Sequence, residues 1–268
     1  MLLRLDAELV RRKLARSREH AQEMIVNDFV FVDGVVSNKS SRQVNNEISI
    51  VVRESQNSKW VSRGAIKLLS ALEAFEDQGF TISDEVVLDA GASTGGFTQV
   101  CLEKGAEKVI AVDVGYGQLA WQLRQDPKVE NLERTNIRFL KKVNISQSPS
   151  RVVSDLSFIS LKTVLPALCE VGTPNVQMLL MVKPQFEVGR EFVGDGVVKE
   201  PELRKSAVTS VIEAAQALGL GLRGVKASGL PGPSGNVEYF VWLQRGEVCK
   251  DRHEIEALVL IAIEEGPQ

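Results

Sequence analysis

Apolar residues along this chain follow two rhythms. Over residues 4–26, Leu5, Leu9, Val10 and Leu14 recur at helical spacing, and Ala21, Met24 and Ile25 continue the pattern after Ser17, a residue suited to capping a second helix. The runs then shorten. Residues 29–36, FVFVDGVV, set Asp33-Gly34 between two apolar stretches, which predicts a tight hairpin. Residues 54–60, ESQNSKW, are polar until their aromatic end and read as a linker. We therefore divide the chain into 1–57, a joint at 58–61, and 62–268. An amphipathic helix begins near Gly64, with Leu68, Leu69, Leu72 and Phe75 on its apolar side. Beyond it strand-like and helical stretches alternate, the pattern of an α/β doubly wound sheet. Strands are expected at 86–89, at 108–114, ending near Asn136, from Arg151 to Asp155, and from Gln177 to Lys183. A helix over 202–218 precedes LRGVKASGL and NVEYFVWLQ, which flank PGPSGN as a terminal antiparallel hairpin. The last helix, 252–264, has Ile255, Leu258, Val259 and Ala262 to set against the sheet.

The stretch VVLDAGASTGGFTQV, residues 86–100, organises the larger part: strand, glycine turn, helix. Glycines allow close backbone approach, and the helix start offers free N–H groups. The spacing Gly91-x-x-x-Gly95-Gly96 is not the GxGxxG of a dinucleotide site, and no GxxxxGK[ST] occurs. A carboxylate, Asp89, stands just before the turn and would repel phosphates. A cofactor with cationic groups suits it better, and S-adenosylmethionine, with an ammonium and a sulfonium, fits. Asp113, at the end of KVIAVDV, stands where a second-strand acid binds ribose hydroxyls; capping of the loops is the plainer role for both acids.

Composition narrows the chemistry. The net charge of −3 argues against a polyanion partner for the chain as a whole. The first 60 residues nevertheless carry ten Lys/Arg against eight Asp/Glu, so such a contact belongs there or in a local groove. Arg11, Arg12, Lys13, Arg16 and Arg18 form either a solvated helix face or a phosphate-contacting stripe. The three cysteines, Cys101, Cys169 and Cys249, form no CxxC pair, which fits a reducing cytoplasm. Two histidines, His20 and His253, leave little material for a triad or a metal cluster, and no metal is expected. Neither the charged N-terminus nor the apolar run at 257–263 has the length of a signal core or a membrane span.

The carboxyl ends of parallel strands form the ligand crevice of such sheets. Asp155 and Lys183 are expected there, joined by Lys67 from the first helix and Glu238 from the hairpin. Lys67 sits in a first helical turn, where the helix dipole disfavours a cation. Structural salt bridges would account for these four residues. Activation of a hydroxyl would too, since a desolvated lysine near a second cation loses proton affinity and can act as a base. The loop after the fourth strand reads Asp155-Leu156-Ser157-Phe158 and lacks the Asn/Asp-Pro-Pro-aromatic loop of amino methyltransferases. No cysteine stands in the Pro-Cys or Thr-Cys context of a pyrimidine-carbon nucleophile. Oxygen methylation remains.

Two resemblances follow from these motifs. The first 55 residues or so, through FVFVDGVV, resemble the small RNA-binding module named after the fourth ribosomal protein of the small subunit. They depart from its usual glycines at Lys13 and at Asn27-Asp28. Behind them VSRGAIKL, LDAGASTGGFT, VDVGYGQL, LERTN, DLSFISL, VKPQFEVG and GPSGNVEYF, in that order, resemble the TlyA (haemolysin A) family of ribosomal RNA 2′-O-methyltransferases. The family often has Arg-x-Trp-Val before the catalytic helix; here the stretch is Ser58-Lys59-Trp60-Val61. The resemblance implies a Rossmann-like class I methyltransferase sheet with an FtsJ-like catalytic domain, preceded by a small α+β RNA-binding domain. It implies transfer from S-adenosylmethionine to the 2′-hydroxyl of cytidine ribose in rRNA, in the small subunit with the large as a further substrate. The implied catalytic tetrad is Lys67, Asp155, Lys183 and Glu238, with Lys183 receiving or sharing the hydroxyl proton, Lys67 stabilising the oxyanion and the acids orienting the lysines. Cofactor contacts fall on Asp89, Gly91, Ser93, Gly95, Gly96, Phe97, Asp113, Asn136 and Asp155, and RNA contacts on Arg4, Arg11, Arg12, Arg16, Arg18 and Arg63. The partner implied is rRNA within ribosomal subunits, without membrane or metal. A noncatalytic assembly factor and membrane lysis, the latter suggested by the family's older name, are the alternatives.

Overall fold

In a computed structural model the chain forms two compact units, Met1–Trp60 and Val61–Gln268. The structure describes residues 2–15, 17–26, 29–52, 59–194, 196–232 and 234–266. Arg16, Asn27-Asp28 and most of the expected linker, including Ser58, lie outside the described residues.

In the small unit, β1 (Leu3–Arg4) leads into α1 (Leu5–Arg11) and α2 (Arg18–Val26). The Ser17 hydroxyl caps α2 by accepting from the His20 N–H at 3.1 Å. Leu14 falls outside this pattern, because α1 ends at Arg11 and leaves Leu14 exposed in the turn. Lys13 takes a left-handed φ of +59°, so the turn keeps a glycine-like conformation with a lysine in it. The strands β2 (Val30–Val32), β3 (Val35–Val36), β4 (Gln43–Val44) and β5 (Ile50–Val52) form the order β3-β2-β5 and a β1–β4 pair. Asp33 and Gly34, with φ of +53° and +79°, make the two-residue hairpin turn. Leu5, Leu9, Ala21, Ile25, Val30, Val32 and Val44 close the core.

The large unit opens with α3 (Gly64–Phe75), then β6 (Val86–Ala90), α4 (Gly96–Glu103), β7 (Lys108–Val112), α5 (Trp121–Arg124) and β8 (Val129–Leu132). It continues with β9 (Arg151–Ser154), α6 (Leu161–Val171), β10 (Gln177–Val182) and α7 (Pro184–Glu187). The last elements are α8 (Pro201–Gln216), β11 (Leu220–Ala227), β12 (Tyr239–Arg245) and α9 (Arg252–Glu264). Seven strands order as β11-β12-β10-β9-β6-β7-β8. Strands β6 to β10 run parallel, and β12 slots antiparallel between β10 and β11. The sheet reverses its order between β6 and β9, the switch point where such folds bind ligands. Strand β8 stops at Leu132, four residues short of the expected end, because Arg134 turns left-handed at φ +52°.

Alternation along β12 shows why both sheet faces are covered. Tyr239, Val241 and Leu243 join Val164, Leu168, Val208, Ile212 and Val259 of α6, α8 and α9. Trp242 and Phe240 point to the other face, where Phe75 lies 5.5 Å and Phe80 5.8 Å from the Trp242 ring and Phe97 stacks on Phe240 at 6.2 Å. Ile255, Val259 and Ala262 of α9 are buried as expected, while Leu258 is partly covered. Among the described residues no helix is long and apolar enough to cross a membrane.

Candidate active site

Register brings the four ionisable residues to one edge. Ser154 pairs with Ala90 on one side and Leu180 on the other, so Asp155 leaves β9 at the switch point, its N–H bonded to the Ala90 carbonyl at 3.1 Å. Val182 pairs with Tyr239, which sets Lys183 and Glu238 one residue beyond the last rung of β10 and β12. Lys67 enters from the first turn of α3. Its Nζ lies 2.5 Å from Glu238 Oε2, and Lys183 Nζ lies 2.6 Å from Asp155 Oδ1 and donates to Ser157 Oγ at 2.8 Å. Lys67, Lys183 and Glu238 are buried. A buried ion pair is a weak source of stability, because desolvation offsets the attraction. The cost suits chemistry better than folding.

The ionisation of this cluster corrects the idea that Lys183 has lost proton affinity. Burial lowers it, but the Asp155 and Glu238 carboxylates outweigh burial, and the Lys183 ammonium is held above the ordinary lysine range. Burial raises the Asp155 carboxyl, and Lys183 and then Lys67 overcome that, leaving it below the usual carboxylate range. The nearest neighbours of each lysine are acids, not the other lysine. At rest Lys183 is therefore an ammonium and Asp155 a carboxylate.

Beside it lies the glycine turn. Gly91 has φ of +89°, and a Cβ there would sit 2.9 Å from the Asp155 backbone carbonyl, so only glycine lets the loop cross the switch point. Gly95 and Gly96 have packing reasons of their own: a Cβ on Gly95 would overlap Leu123 and Leu119, and one on Gly96 would overlap Ser62. Ser93, at φ +52°, donates its N–H to Asp113 Oδ2 at 2.9 Å, and Gly115 N–H reaches Asp113 Oδ1 at 2.7 Å. Asp113 thus caps two loops, with lone pairs left on each oxygen. Asp89 is fully buried; its Oδ2 accepts from Thr98 Oγ1 at 2.7 Å and its Oδ1 has no hydrogen-bond partner. Burial pushes the Asp89 carboxyl up to about 7, against the Thr98 hydrogen bond and with added repulsion from Asp155 and Asp113.

Other expected contacts lie elsewhere. Phe97 turns into the core against Phe240. Asn136 is exposed and caps a short 3₁₀ turn, its Oδ1 accepting from Arg138 N–H at 3.0 Å. In the small unit Arg4 and Arg18 bind the buried Asp6, at 3.0 and 3.1 Å, and Arg11 and Arg12 bind the buried Glu8, at 2.6 and 2.7 Å. Arg12 also reaches the carbonyls of Ile48, Asn45 and Asn46, so it clamps the β-region as well as facing outward. Arg63 is half-buried at the start of α3.

Sequence reasoning missed three residues here. Ser157 touches Lys183, and the order Asp-x-Ser after a strand was its only signal. Asn236 of GPSGN is buried and binds Val198 N–H at 2.9 Å and the Gly196 carbonyl at 2.7 Å, tying the connection before α8 to the hairpin. Phe158 is exposed, at φ +63°, with its ring 5.3 Å from Phe186.

An FtsJ-like methyltransferase model matches residues 60–245, and an S4 domain model matches residues 3–47. The chain is 51% identical to the 16S/23S rRNA (cytidine-2′-O)-methyltransferase TlyA of Mycobacterium tuberculosis over 98% of each chain. It is 33% identical to the 23S rRNA (cytidine-2′-O)-methyltransferase TlyA of Campylobacter jejuni, covering 87% of this chain and 96% of that one. A solved structure from Streptococcus thermophilus, described as a hemolysin, aligns with a TM-score of 0.74 at 33% identity, over 98% of this chain and 96% of that one. An FtsJ-like methyltransferase domain behind an S4 domain thus has full-length counterparts, and the chain belongs to the TlyA family of FtsJ-like methyltransferases.

Proposed function

We propose that this protein transfers a methyl group from S-adenosylmethionine to the 2′-oxygen of a cytidine ribose in ribosomal RNA. The observation that carries the reading is the pair of buried ion pairs, Lys67–Glu238 and Lys183–Asp155, at the sheet edge beside the glycine turn. The two TlyA relatives act on cytidine, one in 16S and 23S rRNA and the other in 23S rRNA. The substrate proposed here is the small subunit, with the large subunit as a second. Ribosomal RNA as substrate puts the protein in the cytoplasm. Residues 1–57 are proposed as the RNA-binding domain and 62–268 as the catalytic one.

When bound, the cofactor supplies a methyl carbon on a sulfonium, already activated toward a nucleophile. The residues present fit it: Asp89 Oδ1 is a buried acceptor without a partner, Gly91 leaves the turn open, and Asp113 keeps lone pairs for ribose hydroxyls. Lys183 orients the attacking oxygen. Because it rests as an ammonium held by Asp155, 2.6 Å away, it receives the 2′-hydroxyl proton only after giving its own to solvent, so the fraction of protein ready to react grows with pH. Lys67 adds positive charge where oxygen gains negative charge, and Glu238 fixes it. Gly232 belongs to this arrangement, since a Cβ there would stand 2.6 Å from Glu238 Oε1. Alignment supplies most of the rate, because the leaving group is good.

The test incubates the pure protein with labelled cofactor and unmodified 30S and 50S subunits, then maps alkali-resistant linkages. A resistant step after a cytidine supports the reading and names the subunit. Absence of incorporation into either, with cofactor binding shown by calorimetry, favours a noncatalytic assembly factor.

A further inference from the structure

We propose that Glu187 is a positioning residue that sets the Asp155–Lys183 geometry by tying together the two loops that carry them. The inference rests on the methyl-transfer reading above. Asp155 opens the segment after β9, and Lys183 opens the segment after β10. Beyond those first residues the strand ladder no longer holds either loop. Glu187, at the end of α7, reaches across: its Oε2 accepts from Ser160 Oγ at 2.6 Å and its Oε1 from Leu161 N–H at 2.7 Å. Its side chain is only 1% exposed, and Lys162 Nζ stands 3.8 Å away. Burial raises its carboxyl above the usual range despite these hydrogen bonds.

Helix capping alone does not explain it. Ser160 already caps α6 by accepting from Lys162 N–H at 3.2 Å. What the carboxylate adds is a link between loops, at the end farthest from the strands. The contacts then run in sequence: Asp155 and Ser157 on Lys183, Phe158 against Phe186, and Ser160 and Leu161 on Glu187. Phe158 sits at φ +63° within this clamp, a conformation a bulky residue keeps only when its surroundings impose it. The surroundings that flank it are the Phe186 ring and the Glu187 carboxylate's hold on Ser160 and Leu161.

The experiment uses the full-length chain with Glu187→Ala, Glu187→Gln and Ser160→Ala. It measures kcat and KM on 30S subunits, cofactor affinity by calorimetry, thermal midpoint, and rate against pH. Glu187→Ala is expected to lower kcat by about 10- to 100-fold, the scale of a small misplacement of reacting groups, with KM and cofactor affinity changed by less than about threefold. Loosening the clamp separates Lys183 from Asp155 and weakens the hold on the ammonium. The rise of rate with pH should then begin at lower pH in Glu187→Ala, a shift that mere loss of folded protein would not produce. Glu187→Gln keeps an acceptor for Leu161 and donates to the Ser160 hydroxyl, so it should recover most of the rate; Ser160→Ala cuts one arm and should fall between. Wild-type kcat in Glu187→Ala, an unmoved pH profile, or a Gln variant as slow as the Ala variant would overturn the proposal. An active wild type beside a Glu187→Ala variant of unchanged kcat sinks this inference alone, whereas an inactive wild type sinks the methyl-transfer reading and this one with it.

Discussion

The small and large units of this protein bury charge differently. In the small unit the acids are inside and the cations outside: Asp6 and Glu8 are covered, while the side chains of Arg4, Arg11 and Arg18 are 41%, 52% and 55% exposed. At the sheet edge the cations are inside too, with Lys67 and Lys183 side chains 10% and 9% exposed. The residue types match the difference. A guanidinium stays charged in any setting and keeps a rigid fork of donors, so it serves when displayed. An ammonium shifts its proton affinity with its surroundings, so it serves when hidden. The acids diverge as well. Hydrogen bonds from Arg11, ahead of the opposing effect of burial, bring the Glu8 carboxyl down to about 2, while burial takes Asp89 up to about 7.

The largest expected effect removes a hidden cation. Lys183→Ala should lower methyl transfer by about 10³-fold or more, since the proton acceptor and the group that orients the attacking oxygen are lost together. Cofactor affinity measured by calorimetry should hardly move; loss of that affinity instead would contradict the assignment. Lys183→Arg should not restore activity, because a guanidinium does not give up its proton. In the wild type the Lys183 ammonium is held above its ordinary range, so the rate should climb as pH rises from 6 to 9. A rate that falls over that interval would exclude Lys183 as the proton acceptor.

The next effect comes from Asp89. Its folded-state value, about 7 against an ordinary 3.8, means that between those values the folded protein binds a proton the unfolded chain has released. Stability therefore falls as pH rises through that window and levels off above it, by an amount on the order of 4 kcal/mol for a shift of about three units. Asp89→Asn keeps an acceptor for the Thr98 hydroxyl and removes the titration. Its thermal midpoint should vary less between pH 5 and 8 and exceed the wild-type value above pH 7. The same ionisation should strengthen binding of a cationic cofactor as pH rises through about 7, and the Asn variant should lose that dependence. Parallel midpoint curves for the two proteins would mean that Asp89 does not titrate there.

Much of this was legible in the sequence because it depends on local chemistry. Lys67 stood out since a cation in an early helical turn opposes the dipole, and its reason is a carboxylate 171 residues away. The strand ends of β9 and β10 followed from apolar runs stopping at Asp155 and Lys183, while β6 runs one residue beyond Asp89. What the sequence hid depends on neighbours brought together by folding. The glycines announced a tight turn, but not that Gly95 makes room for Leu123 while Gly91 makes room for a backbone. Lys183 looked like a lysine with depressed proton affinity until its carboxylate neighbours were placed. Phe97 looked like part of the loop because it follows the glycines, yet the first turn of α4 rotates it into the core. Leu14 fitted the helical period, but Lys13 ends that helix with a left-handed turn.

The smallest effect separates display of arginines from their mere presence. Asp6 accepts from Arg4 Nε and Nη2 at 3.1 and 3.0 Å, from Arg18 Nη2 at 3.1 Å and from Gln22 Nε2 at 2.9 Å. Removing one member of a fully buried pair strands a charge away from water and costs about 3–5 kcal/mol. Here the guanidiniums left behind remain hydrated, so Asp6→Ala should cost only about 1–2 kcal/mol in the small unit. The substitution also makes the chain one unit more positive. If RNA affinity followed charge alone, binding to unmodified 30S subunits would tighten and its dependence on salt would steepen. If instead the buried acid holds Arg4 and Arg18 in register with phosphates, affinity should weaken, on the order of threefold, with the salt slope unchanged. Binding measured against KCl concentration decides between them. Tighter binding would reduce the paired arginines to a diffuse positive face; weaker binding would make the buried acids part of the RNA-contacting surface.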